Sequence, residues 1–449
     1  MSLEKSFLIK ILKIASTIFI FGFFFMPNLH YVEAATRTWT GTSSGSWSNP
    51  ANWGGTAPVS YDDLVFPNGA SNLSNTNDLT ENTIFNSITI SGSGYTLSGN
   101  ALILGAGVAG LTDSASSGGN EIALDIRLDA TRDIIVTNAS ETLTFSGRLA
   151  GVGGINKEGL GKLILSGANT FGGILKINVG VVNAQNSRAL GTILAGTEVV
   201  GGAALELQGN IDISYEALTL RGWGVSGTGG ALRNISGTNT FRGLITLTAG
   251  SSATSGGVEI SSDSGTLNLT GGTTGNAQLV LDGAGNITFS TAPISGSASV
   301  FKNGAGTVTF NFPNTYTGLT TVNAGTLLYG TDNAILSGAV TVSSGTLDIA
   351  TYSDIVGAVT LGTFDLASGT ITGTTGMLSS TAFTVHQGTI SAIIAGDGAT
   401  LTKGTANWAA GTVTLTRANQ YTGATTINTG VLKIQDSMSL GTIDGITTV

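Results

Sequence analysis

The run Asn314-Thr315-Tyr316-Thr317-Gly318-Leu319-Thr320-Thr321-Val322-Asn323-Ala324-Gly325 sets the pattern of the chain. It holds a turn-forming Asn, an aromatic two residues on, a Gly two further, an alternating apolar run, and a Gly eleven residues after the Asn. The pattern recurs from Asn169 with Phe171, Gly173 and Gly180, from Asn239 with Phe241, Gly243 and Gly250, and from Asn419 with Tyr421, Gly423 and Gly430. Upstream, Lys157 and Lys302 stand twelve residues before their Asn, and Gly161, Gly306 and Gly411 stand eight before theirs. The copy at Asn239 has no such Lys, and the copy at Asn419 has four extra residues between Lys403 and Gly411. Self-similarity of this kind marks a chain built from stacked units.

Each copy reads as strand, corner, strand, corner, strand. Asn bonds its own backbone at a corner, the aromatic packs inward or stacks on its equivalent in the next coil, and Gly permits the bend. One copy cannot bury both faces of its strands, whereas copies stacked in parallel about 4.8 Å apart enclose a continuous interior. The expected fold is all-β: a right-handed parallel β-helix, or β-solenoid, with the Asn-aromatic-Gly blocks directly atop one another. At roughly 20 to 25 residues per turn it has roughly 17 to 20 turns. The Asn positions lie 70, 75 and 105 residues apart, so more divergent coils fill the intervals. A β-sandwich is the competing arrangement, but it needs hairpin turns in register that the Gly-bounded pieces do not supply.

The rest of the chain agrees with strand and turn. Apolar residues alternate with Thr, Ser and Asn in short runs such as Ser87 to Ile90, Glu141 to Phe145, Leu163 to Leu165, Thr307 to Phe310, Ala339 to Val342 and Thr412 to Leu415. One short helix is expected around Asn183 to Leu190. Of 449 residues 67 are Gly, about twice the ordinary share, and only 10% are charged, against about 25% in average chains. Mean hydropathy is +0.29 and net charge only -9, which excludes a disordered chain. No Lys/Arg cluster offers a phosphate-binding face, so nucleic acid is excluded as a partner.

The first residues read as an export leader. Lys5, Lys10 and Lys13 precede the apolar run Ile14 to Met26, Pro27 ends it, and Val32-Glu33-Ala34 suits cleavage after Ala34. That run is shorter than the roughly 20 residues a membrane span needs. The expected organisation is a signal peptide over 1–34, a Trp-rich N-terminal cap with the first coils over 35–110, and a β-helical body over 111–449. Repeats are placed near 157–191, 232–250, 302–327 and 403–441. No Cys is present, so rigidity must come from ladders and packing.

The stretches Lys157 to Val182, Lys302 to Leu327 and Gly411 to Leu432 resemble the autotransporter-associated β-strand repeat, also called the passenger-associated transport repeat. Trp39-Thr40-Gly41, Trp47, Asn52-Trp53, Pro58 and Asp63-Leu64-Val65-Phe66 are similar to the opening of exported proteins that carry it. Phe310-Asn311-Phe312-Pro313 departs from the usual pattern, and no alternating aromatic strands of a C-terminal translocator barrel follow the last copy. The resemblance implies a parallel β-helical passenger displayed on, or released from, a Gram-negative-type outer membrane. It also implies export by Sec and an outer-membrane translocator not in this chain, aided by coil-by-coil folding outside the cell.

Motifs for chemistry are sparse. Gly105 to Gly110 matches a dinucleotide fingerprint after a strand, but the residues beyond are no helix, so no helix N-terminus is available for a pyrophosphate. Gly222 to Gly227 matches equally well. Gly41-Thr42-Ser43-Ser44-Gly45 fits a nucleophile elbow, yet His386 is the one His left after cleavage. Without a second His or a Cys, it is a packed or exposed side chain rather than a metal ligand. Asp125, Asp129 and Asp133 with Arg127 and Arg132 form the densest charged cluster. Alternation places Glu121, Ala123, Asp125, Arg127 and Asp129 on one outer face of a strand, with Ile122, Leu124, Ile126 and Leu128 inward. That row reads as a solvated, self-neutralising surface, with a polysaccharide-cleaving site as its alternative. Trp39, Trp47 and Trp53 read as closing the first coil, with a sugar-stacking platform as the alternative.

The function expected is a non-enzymatic surface or secreted stalk or adhesive scaffold, contacting host or matrix glycans or proteins and needing no cofactor. The alternatives are a polysaccharide lyase or hydrolase and a carbohydrate-binding surface protein.

Overall fold

Thr, Val, Ile and Leu alternate in runs of three to six residues because β-branched and aliphatic side chains suit a pleated surface with one face buried. In the computed structural model of the protein, described over residues 34–105, 110–227, 229–249, 256–363, 367–405 and 411–449, those runs become short strands, and every pairing between them is parallel. The predicted leader falls outside these residues except for Ala34. Thr36–Val449 is one compact unit.

The chain winds through three faces. The second face is one open ladder of eighteen strands, from Ser74–Asn77 to Thr447–Thr448, each paired with its equivalent one coil away. At about 4.8 Å per step that ladder extends on the order of 80 Å. The first face carries eleven strands, from Thr36–Thr38 to Thr273–Gly275, and four more from Asp354–Ile355 to Gln420–Tyr421. The third carries four, from Thr83–Phe85 to Leu149–Ala150, and then eleven from Asp212–Ile213 to Val431–Ile434. The cyclic order of faces is constant along the chain, which makes the architecture a parallel β-solenoid. Coil length varies: Lys162 pairs with Val181, nineteen residues on, and Leu232 with Ile260, twenty-eight on.

Inside, side chains stack in columns one coil apart. Leu143, Leu163, Val182, Leu205, Leu232 and Ile260 form one such column, all buried. At about 1.5–3 kcal/mol per fully buried aliphatic side chain, repeated on every coil, this interior is the main source of stability.

The six strand examples read from the sequence are present, with ends displaced by at most one residue. The short helix is not. Gly180–Ala184 is a strand, because Val181 and Val182 join the ladder and Asn183 turns outward to donate to Glu206, and only turns follow. The row from Glu121 to Asp129 is not one strand either. The chain bends between Asn120–Ile122 and Ile126–Leu128, which puts Glu121 on the second face and Arg127 on the third. Ile122, Leu124, Ile126 and Leu128 are buried as expected.

The Asn-aromatic-Gly blocks also do not lie atop one another. Asn169 and Asn239 turn on the third face, beside Leu149 and Ile211. Asn314 and Asn419 turn on the first, beside Ile294 and Ile394. Unequal corners in the intervening coils rotate the motif by one face between the second and third copies.

Close approach between coils explains the second Gly. Gly325 has φ +61°, and a Cβ there would sit 2.4 Å from the carbonyl oxygens of Gly304 and Gly306 and 2.7 Å from Lys302 Nζ. Gly398 also has a left-handed φ, +67°, but nothing within 4 Å. Gly398→Ala is expected to cost only the ~1–2 kcal/mol of an Ala in that conformation, and Gly325→Ala at least about 2 kcal/mol more. Denaturant unfolding of the two variants checks this, and equal losses would refute it.

Candidate functional site

The repeat corners hold buried polar groups that other coils satisfy. Asn314 accepts from Ile294 N–H in the coil before at 2.7 Å and donates to Ala334 O in the coil after at 2.8 Å. Asn169 does the same with Leu149 and Ala189, and Asn419 with Ile394 and Ser439. Each of these side chains therefore clips three coils together, rather than bonding its own corner as the sequence suggested. Asn239 differs: it accepts from Ile211 N–H but donates to Asn234 and Ser236 within its own coil.

The lysines stand in inward columns. Lys302 lies between Leu281 and Val322, and Lys157 between Ile134 and Ile177. Their stems pack with aliphatics while their ammonium groups reach the corner carbonyls. Lys157 Nζ donates to Glu158 O and Gly159 O at 2.8 Å and to Val179 O at 3.1 Å. Lys302 donates to Gly304 O and Ala324 O, and Lys403 to Thr429 O. The last carbonyl in each set precedes Gly180, Gly325 or Gly430, which links the Lys to the Gly it anticipates in sequence. Burial lowers the pKa of Lys157 and of Lys302 to about 8.

The aromatics Phe171, Phe241, Tyr316 and Tyr421 all point inward and are buried. Where the ring is Tyr, the residue four on is Thr. Tyr316 hydroxyl pairs with Thr320 Oγ1 at 2.6 Å, and Tyr421 with Thr425 at 2.7 Å. Where it is Phe, that residue is Leu175 or Ile245.

Of the sequence-derived candidates, the three Trp residues come together beneath the surface. Trp39 and Trp47 are fully buried and Trp53 is 5% exposed, with ring centroids 5.0 Å apart for Trp39–Trp53 and 6.0 Å for Trp47–Trp53. Their N–H groups donate to Asn72 O, Asn75 Oδ1 and Trp47 O. Ser43 and Ser44 N–H donate to the buried Asn52 Oδ1, so the Gly41 to Gly45 loop is part of the same knot. The charged cluster is spread out and paired. Arg127 meets Asp129 at 2.8 Å, Arg148 meets Asp125 at 3.1 Å, and Asp133 accepts from Asn156. Arg132 is buried and donates to backbone carbonyls. His386 is buried, and desolvation, with Lys403 nearby, lowers its pKa. No group of three potential metal ligands occurs among the described residues. Ala106 to Ala109 in the dinucleotide-like match, and Gly250, lie outside them.

Sequence reasoning missed the buried acids. Burial raises Asp113 and Asp354 to about 6 and Glu216 and Glu259 to about 7. Asp354 has a sequence signal in retrospect: it accepts from Ile335 N–H nineteen residues back, as Asn314 accepts from Ile294 twenty back. Also missed was a cavity of about 380 Å³ on the third face, lined by residues between Asn169 and Glu216.

The passenger-associated transport repeat family model matches residues 155–184, 300–328 and 410–434. Those segments hold the three Asn residues that bond both neighbouring coils, the first two also hold Lys157 and Lys302, and the third begins just after the buried Lys403. The chain thus carries the passenger-associated transport repeat in three places, which together make up about a fifth of its length. The unmatched copy of this repeat protein, at Asn239, is the one that lacks both features. The repeat protein is also similar to the adhesin BmaC autotransporter of Brucella suis biovar 1 (strain 1330), 29% identical over 150 residues, which cover 28% of this chain and 4% of that protein. The similarity thus spans only a small part of the relative's length. No solved structure matches the chain.

The paired hydroxyls give a direct test of how the repeat protein satisfies its corners. Tyr316→Phe strands the Thr320 hydroxyl and is expected to cost about 1–2 kcal/mol, most of it recovered by adding Thr320→Val. Additive losses in that double-mutant cycle would refute the coupling.

Asp354 gives a second. Its folded pKa of about 6 lies above its ordinary 3.8, so the stability it contributes is full below 3.8 and is lost as pH rises through 6. Asp354→Asn is therefore expected to stabilise by on the order of 2 kcal/mol at pH 7.5, and the gain should vanish by about pH 4. A gain independent of pH, or none, would refute this account.

Proposed function

We propose that the chain is part of an exported, surface-displayed or secreted passenger of a Gram-negative-type bacterium, serving as a stiff non-enzymatic stalk or adhesive scaffold. It carries a signal peptide cleaved after Ala34, winds right-handed, and is closed at its N-terminal end by the Trp39, Trp47 and Trp53 knot. Sec and an outer-membrane translocator carry it out. The observation that supports this most is how the buried polar groups of the repeats are used. Asn169, Asn314, Asn419, Lys157, Lys302 and Lys403 all bond backbone of their own or adjacent coils, so they serve stacking. A chain emerging end first would complete these bonds one coil at a time, each new coil covering the last. The name of the Brucella relative, an adhesin, is in keeping with the adhesive part of the reading.

The acids considered for polysaccharide cleavage are paired in exposed ion bridges or hydrogen bonds, which suits a solvated surface. The purified protein, coated on beads, is expected to adhere to epithelial cells or matrix and to release no product from pectin or alginate. Product release that Asp125→Asn abolishes would replace the scaffold reading with an enzymatic one, and beads that do not adhere would remove its adhesive part.

A further inference from the structure

The third face is interrupted where its four-stranded and eleven-stranded sheets fail to join. The Asn169 rung bonds the coil before it through Thr170 N–H to Leu149 O, and Thr192 N–H continues to Phe171 O. The next step is bridged by a side chain, with Ser187 Oγ accepting from Asp212 N–H. The cavity of about 380 Å³ opens in that gap, near the lower end of the roughly 300–1,000 Å³ typical of small-molecule sites.

Its lining is chemically specific. Glu216, 2% exposed, stands at the wall with one carboxylate oxygen held by Thr197 Oγ1 at 2.8 Å. Thr192 Oγ1 is buried and has no hydrogen-bond partner. Arg188 lines the mouth and makes no ion pair among the described residues. Ser214 adds a hydroxyl, and Leu190 and Ile213 an apolar floor. The site thus combines an acceptor that a buried scaffold fixes, a five-donor guanidinium, an unsatisfied hydroxyl, and carbon surface.

We propose that this cavity is a saccharide subsite that takes one neutral pyranose unit of a glycan, its adjacent hydroxyls shared between the Arg188 donor and the Glu216 acceptor. Each sugar hydroxyl both donates and accepts, so it can satisfy Thr192 and bridge the two charged groups, while the ring's C–H face lies on Leu190 and Ile213. Above pH 7, where Glu216 is ionised, its carboxylate and the chain's net charge of -9 disfavour an acidic sugar or a phosphate. The gap in the ladder is what makes room, beside the corner of the first repeat, whose Asn169 and Thr170 also line the cavity.

The inference supplies a ligand class for the adhesive part of the proposed function, but its test reads the cavity alone. The full-length protein is applied to immobilised neutral hexoses, N-acetylhexosamines and hexuronates. Retention on neutral or N-acetylated sugars is expected. Arg188→Ala, at an exposed position that leaves the fold intact, and Thr192→Val are each expected to weaken it by about tenfold or more, the effect of losing a hydrogen bond in such a site. Glu216→Gln should weaken it as well, with folding checked by circular dichroism. No retention on any sugar, retention of hexuronates alone, or binding unchanged in Arg188→Ala would overturn the proposal. Because isolated sugars are the probe, failure of cell adhesion with sugar binding intact would count against the scaffold reading and not against the subsite.

Discussion

A parallel ladder satisfies backbone hydrogen bonds along its strands but not at its corners, and every coil of a solenoid has corners that the next coil covers. A covered corner is out of water, so an N–H or C=O left there unpaired costs about 1–3 kcal/mol. The Asn and Lys side chains of the repeats answer that constraint. Asn offers one acceptor and two donors on a short stem, enough to bond the coil below and the coil above at once. Lys offers three donors at the end of an apolar stem, so it can stand in a column of Leu and Val and still reach carbonyls at the edge.

The same constraint explains the glycines and the aromatics. A Lys ammonium and the carbonyls it binds leave no room for a Cβ on the residue arriving above, and the left-handed turn there favours Gly independently. An aromatic that faces inward from the corner needs its hydroxyl paired or absent, and the chain uses both solutions, Tyr with Thr and Phe with Leu or Ile. Asp354 shows the rule from its exception. It occupies an Asn-like corner as an acid, retains the accepting bond, lacks the amide donor, and is pushed toward its protonated form.

Much of this was legible. The alternation of Val, Thr and Leu with polar residues located strands such as Ser87–Ile90 and Thr412–Leu415, because side-chain direction alternates with every residue of a strand. The spacing of Lys302, Asn314 and Gly325 identified a repeating unit before its bonds were known. The charged row over Glu121 to Asp129 was misread because alternation continues across a corner that only Asp125 and its neighbours in other coils define. The Asn partners were misassigned for a related reason: a side chain that bonds a residue twenty positions away leaves no trace in its immediate neighbours. The Trp knot and the cavity depend on contacts of the same long range.

Taken alone, the amino-acid sequence determined the class of structure: short strands, glycine corners, one interior, and a unit that recurs. These follow from local chemistry, since strand pleat and turn geometry depend on adjacent residues. Tertiary structure alone decided that the motif turns on the third face in its first two copies and on the first face in its last two. It likewise decided which acids are buried, and where the third face opens. The physical reason is cumulative. The angular position of a residue is the sum of all coil lengths before it, and those range from sixteen to twenty-eight residues, so a small difference at one corner moves everything that follows.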